Sequence, residues 1–195
     1  LIAIREKTFR GGSEIFIYTE NRKNLFSRTT RTLDNLGLNV VDARIITSSS
    51  NFTLDTFIVL EKTGELIKGK DRVKEIRVAL TQQLSSLDKP MKRLSRVRSS
   101  KLKHFPIDTR VFFTNDENNS RTIMEVTTTD RPGVLSGIGM AMEFCKVTLQ
   151  GAKIATYGER VEDIFFITDE NNNLISDDIK IECLRNTITE SLNNN

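Results

Sequence analysis

The residues in this chain best placed to do chemistry are Asp130-Arg131-Pro132-Gly133-Val134-Leu135. Ahead of them, Ile123-Met124-Glu125-Val126-Thr127-Thr128-Thr129 alternates apolar and polar positions and is rich in β-branched residues, as a strand is. Behind them, Leu135, Ile138, Met142 and Cys145 recur at the spacing of one helix face. A strand that turns sharply into a helix leaves backbone N–H groups unpaired at the helix start, and these attract anions. In this reading Asp130 caps N–H groups, Pro132 fills the first helical turn, and Gly133 lets a carboxylate come close to the backbone. The bland alternative is an ordinary capped helix start with no ligand.

No catalytic set accompanies the turn. A metal phosphohydrolase needs a cluster of His and Asp ligands, and the chain holds one histidine, His104, beside Phe105-Pro106. Nucleotidyl transfer needs carboxylates that hold Mg²⁺ beside a Gly-Ser turn. Gly11-Gly12-Ser13 supplies such a turn, but no Asp-x-Asp or Asp-x-Glu follows in Ile15–Thr19. The sequence therefore predicts no catalytic residues, no metal site and no cofactor.

At 195 residues the chain has room for two domains of roughly 80–100 residues. A net charge of +3 is too small to argue for nucleic acid or membrane, and no apolar run is as long as a membrane span. The opening Leu1-Ile2-Ala3-Ile4 has neither an initiator Met nor a signal-peptide layout, so a fragment of a longer chain is expected. Cys145 and Cys183 lie far apart in no paired motif, each at an apolar helical position. They are expected to be reduced core thiols, which points to the cytoplasm.

The chain also repeats itself. A shift of 109 residues aligns Asn21-Arg22 with Asp130-Arg131 and Ala43-Arg44-Ile45 with Ala152-Lys153-Ile154. After a one-residue deletion, Asp55-Thr56-Phe57-Ile58-Val59 matches Asp163-Ile164-Phe165-Phe166-Ile167. Each copy reads strand, helix, strand, strand, helix, with a further strand expected to close a βαββαβ unit. In the first copy that strand must come from Lys89–Ile107 or from elsewhere in the chain. In the second, Val111–Thr114, ahead of the unit's first strand, is the candidate. The expected architecture is α+β: a first domain over residues 1–88, a basic linker over 89–107 and a second domain over 108–195. Two such units can cover each other's exposed elements, so an intramolecular pseudo-dimer is the expected arrangement.

The run Asp130–Leu135 after a strand, followed by Gln150-Gly151-Ala152-Lys153-Ile154 and Gly158-Glu159-Arg160-Val161-Glu162-Asp163, resembles an ACT domain, a ferredoxin-like regulatory fold. More narrowly, the chain resembles the C-terminal tandem ACT domains of the bifunctional uridylyltransferase/uridylyl-removing enzymes. Phe9-Arg10-Gly11-Gly12-Ser13-Glu14, Asp42-Ala43-Arg44-Ile45, Leu54-Asp55-Thr56-Phe57 and Lys103-His104-Phe105-Pro106 carry that likeness in order. The resemblance implies a regulatory role in a parent enzyme that uses Mg²⁺ to add UMP to the nitrogen signal protein PII, and that also removes it. L-glutamine is the implied effector, with Asp130, Arg131, Gly133, Val134 and Leu135 as the effector site. The first copy departs from the pattern: Asn21-Arg22-Lys23-Asn24 replaces Asp-Arg-Pro-Gly. Asn24 tolerates a left-handed conformation, so Asn21, Asn24 and Leu25 form a second candidate effector site. The parent catalytic domains, and PII through them, are the implied partners.

An RNA-binding or protein-interaction module of the same topology is the rival reading. An RNA recognition motif needs a Lys/Arg-Gly-aromatic run on its third strand. Here those strands read Thr53-Leu54-Asp55-Thr56-Phe57 and Glu162-Asp163-Ile164-Phe165-Phe166, acidic and lacking that glycine. The acid-free run Lys89–Lys103 reads as a solvated connector or a contact surface for an acidic partner.

Overall fold

A computed structural model describes residues 1–85 and 107–193. The basic run and His104 fall outside the described residues. In the first copy, strands β1 (Ile2–Arg5) and β2 (Ser13–Glu20) precede helix α1 (Leu25–Asn35), hairpin strands β3 (Leu38–Thr47) and β4 (Phe52–Glu61), and helix α2 (Lys70–Leu84). The second copy repeats this as β5 (Arg110–Asp116), β6 (Arg121–Thr129), α3 (Val134–Phe144), β7 (Thr148–Tyr157), β8 (Arg160–Thr168) and α4 (Asp178–Asn193).

All eight strands join one antiparallel sheet, ordered β1-β2-β4-β3-β7-β8-β6-β5. The strand closing each unit comes before it in the chain. β5 does so as expected; in the first copy Ile2–Arg5 fills the place by pairing with Ile17–Glu14. The seam between the copies is β3 against β7, where Arg44 pairs with Lys153, its own counterpart in the repeat. An approximate twofold axis therefore passes through that pair, and the expected pseudo-dimer is realised as a continuous sheet.

Alternation along the strands sends one face into the core: Ile15, Ile17 and Phe57 in one copy, and their counterparts Met124, Val126 and Phe165 in the other, are almost fully buried. The helices cover this face, α1 against α3 across the axis, with α2 and α4 outside them. At the α1–α3 crossing a Cβ on Gly139 would lie 2.8 Å from the Cβ of Ser27, so only glycine permits this approach. Each copy also ties its post-hairpin loop to its first core strand in the same way. The Ser13 hydroxyl accepts from Ile67 N–H at 2.8 Å, and the Thr122 hydroxyl accepts from Ile175 N–H at 3.0 Å.

One expectation is overturned. Cys145 and Cys183 form a disulfide, with Cα atoms 5.9 Å apart. Their separation in sequence hid this, because α4 returns across the C-terminal end of α3. In the first copy, Leu36 stands where Cys145 does, and the same corner is held by charge: Arg72 donates to the Leu36 carbonyl at 2.6 Å and to both oxygens of Glu61 at 2.8 Å. With both cysteines in a disulfide, reduced thiols give no ground for a cytoplasmic location.

Candidate functional site

Gly133 adopts φ +91° and is the N-cap of α3, which starts at Val134. That left-handed residue is what folds strand into helix within four residues. Asn24 does the same for α1 at φ +66°, in keeping with the expected substitution of Asn for Gly. Two details of the turn differ from expectation. Pro132 precedes the helix, because the left-handed Gly133 delays its start by a turn's corner. Asp130 does not cap the helix; its carboxyl accepts from the Arg131 N–H. The Asp130 N–H itself donates to Glu159 O at 2.8 Å, pinning the turn to the β7–β8 hairpin.

The amide of Gly133 is not open either. Asp34, at the end of α1 in the other copy, accepts from it and also from the Ser136 hydroxyl at 3.1 Å. A side chain of one copy thus occupies the helix start of the other, as a bound anion would. Among the described residues no backbone carbonyl accepts from the N–H groups of Leu135 and Ser136 at the helix start.

The turn borders a cavity of about 300 Å³ between the copies, at the small end of the range for ligand pockets. Asp130, Arg131, Pro132, Val134 and Leu135 form one wall; Thr30, Asp34, Asn39, Val40 and Lys62 of the first copy form the other. Val161 and Asp163 of β8, with Ile154 and Thr156 of β7, line it too. Of the expected site residues, Asp130, Arg131, Val134 and Leu135 line the cavity, and Gly133 contributes the corner behind it.

Three carboxyls serve this cavity, and burial raises all of them. For Asp34, desolvation outweighs the hydrogen bonds from Ser136 and Gly133 and the attraction of Lys62. Asp130 is raised by desolvation against the Arg131 N–H. Asp163, 1% exposed, is pushed up to about 8 by burial, with the Asp130 charge adding to the effect. One Asp163 oxygen accepts from the Ala155 N–H at 3.3 Å; the other, Oδ2, has no partner. Sequence reasoning missed Asp163, Asp34 and Lys62. A carboxylate in line with the apolar inward positions Val161, Phe165 and Ile167 of β8 was the available signal for the first; the other two come from a different copy.

The twofold relation places a second cavity, about 460 Å³, at the other turn. Asn21, Asn24 and Leu25 all line it, beside Arg22, Lys23, Asp55, Glu143, Lys146 and Glu170. The ion pair of Lys23 with Glu170, 3.9 Å, spans it. Asp55, the counterpart of Asp163, is raised to about 7 by burial, but it accepts a hydrogen bond from the Thr53 hydroxyl.

Among the described residues no group of three or more His, Cys, Asp or Glu side chains could hold a metal ion. No helix there is long and apolar enough to cross a membrane.

Several known proteins are similar to this chain. A bifunctional uridylyltransferase/uridylyl-removing enzyme of Pseudomonas savastanoi pv. phaseolicola is 44% identical across 100% of this chain and 22% of its own length. The enzyme of the same name from Methylococcus capsulatus is 41% identical across 97% of this chain, again 22% of its own length. The chain thus spans about a fifth of the length of these relatives. No protein-family model matches it. Aspartate kinase from Synechocystis superposes with a TM-score of 0.50 at 15% identity, covering 93% of this chain and 28% of the kinase; this speaks to fold alone. The fold is that of tandem ferredoxin-like ACT domains.

Proposed function

The chain is homologous along its whole length to about a fifth of the bifunctional uridylyltransferase/uridylyl-removing enzymes, and from that premise we propose that it is an amino-acid-sensing regulatory module, with L-glutamine as effector. The observation that carries the proposal is the cavity between the copies, walled by the β6–α3 turn of one and by α1 and β3 of the other. An α-amino acid has an ammonium for Asp130 and Asp34. Its carboxylate finds Lys62 and the N–H of Leu135.

A ligand held by both copies binds only one relative placement of them. Its differential affinity then shifts the module between arrangements, which is all that regulation by linkage requires. In this proposal the module is not catalytic. Uridylyl transfer, with its Mg²⁺, and uridylyl removal belong to the remaining four-fifths of the parent enzyme, and PII is met through those domains. A cytoplasmic location belongs to the same proposal and rests on the homology, since the disulfide does not argue for it.

Isothermal titration with glutamine, glutamate and serine tests the reading. Glutamine is expected to bind, and Gly133→Ala to weaken it at least tenfold. An alanine there must hold φ +91°, a strain of about 1–2 kcal/mol that is relieved by moving the turn. No heat with millimolar glutamine in a folded sample removes the sensor reading for this chain.

A further inference from the structure

The two cavities are copies of one design that have diverged, and the divergence at one position is informative. In the first copy the buried carboxyl of Asp55 is satisfied from within, by the hydroxyl of Thr53 two residues earlier on the same strand. In the second copy the residue two before Asp163 is Val161, 3% exposed, which has no hydroxyl to give. Asp163 therefore keeps an oxygen without any partner while 1% exposed and lining the smaller cavity. An unpaired carboxyl oxygen at that burial costs stability unless something binds it. The repeat shows that the fold had a means of satisfying it, and that this means is missing only beside the cavity bearing the Asp-Arg-Pro-Gly turn.

We infer that Asp163 is the specificity residue of the effector site, its Oδ2 pairing with the side-chain carboxamide of the amino acid, and that valine at 161 is what leaves it free to do so. The inference rests on the effector reading above and names the group that reads the far end of the ligand. A carboxamide presents a donor and an acceptor together, the match for a carboxyl that is buried, raised to about 8 and largely protonated at neutral pH. A carboxylate at the same place has no N–H to give the unpartnered Oδ2 and adds a negative charge to a cavity already lined by Asp130 and Asp34. An apolar side chain of equal length leaves the orphaned oxygen as it was. Sites that hydrogen-bond a ligand group discriminate strongly against analogues that lack it.

The test compares glutamine with methionine, its near-isostere without the amide, on the 195-residue chain by calorimetry. The unaltered chain is expected to prefer glutamine by at least tenfold. Val161→Thr, which gives Asp163 the partner Asp55 already has, is expected to reduce that preference to within about threefold, with the melting temperature unchanged or raised. Asp163→Leu, which removes the carboxyl while keeping an apolar strand, should abolish the preference by a different route. If the unaltered chain prefers glutamine and both Val161→Thr and Asp163→Leu retain that preference, the assignment of Asp163 is wrong and the effector site stands. If the unaltered chain binds no amino acid, the effector reading itself is overturned, and this inference with it.

Discussion

Opening the Cys145–Cys183 bond should destabilise the second copy far more than the first. The bond closes a loop of 38 residues. The chain-entropy relation gives about 4 kcal/mol for a loop of that length at room temperature. For a domain pair of this size, about 4 kcal/mol corresponds to a fall in melting temperature on the order of 8–16 °C if the sheet unfolds as one unit. The first copy feels less, because its equivalent corner is held by Arg72, Glu61 and the Leu36 carbonyl, which reductant does not touch. Cys145→Ser/Cys183→Ser and the unaltered chain are to be melted in urea, each with and without dithiothreitol, while amide exchange is followed along α3 and α4. The unaltered chain should lose stability on reduction and the double variant should not respond. Exchange should rise first in α4. A midpoint unmoved by reductant, or exchange rising equally in α2 and α4, would refute the reasoning.

Two further outcomes follow from the packing and the charges. Gly139→Ala forces the Ser27 backbone, 2.9 Å from the new Cβ, to move, and overpacking of this kind costs about 1–3 kcal/mol in urea melts; an unchanged midpoint would show that the helices separate freely. Asp55 and Asp163, raised to about 7 and about 8, bind protons more tightly folded than unfolded, where the pKa is about 4. Their contribution is therefore full below about pH 4 and is lost as pH rises through 7 to 8, so the urea midpoint should fall between pH 5 and pH 9. Asp55→Asn/Asp163→Asn should flatten that decline, and a midpoint that rises with pH in the unaltered chain would contradict it.

The strand, helix, strand, strand, helix order of each copy and the left-handed role of Asn24 were legible in the sequence because they are local, and the repeat was legible because those local patterns recur in the same order. Periodicity of 2 or 3.6 marks a strand or a helix, and a residue that must turn the chain at positive φ is Gly or Asn. The internal likeness extended that local signal to the whole pair, since a surface repeated once in a chain can pair with itself about an axis. What the sequence alone could not decide was anything set by contact across that axis or between returning helices. Cys145 met Cys183 only because α4 folds back on α3, and Ile2–Arg5 became an edge strand only because an edge was there to receive it. Asp34 reached the amide of Gly133 from nearly one hundred residues away, closing a position that looked open. Side-chain partners of this kind depend on distances in three dimensions, and linear spacing carries no record of them.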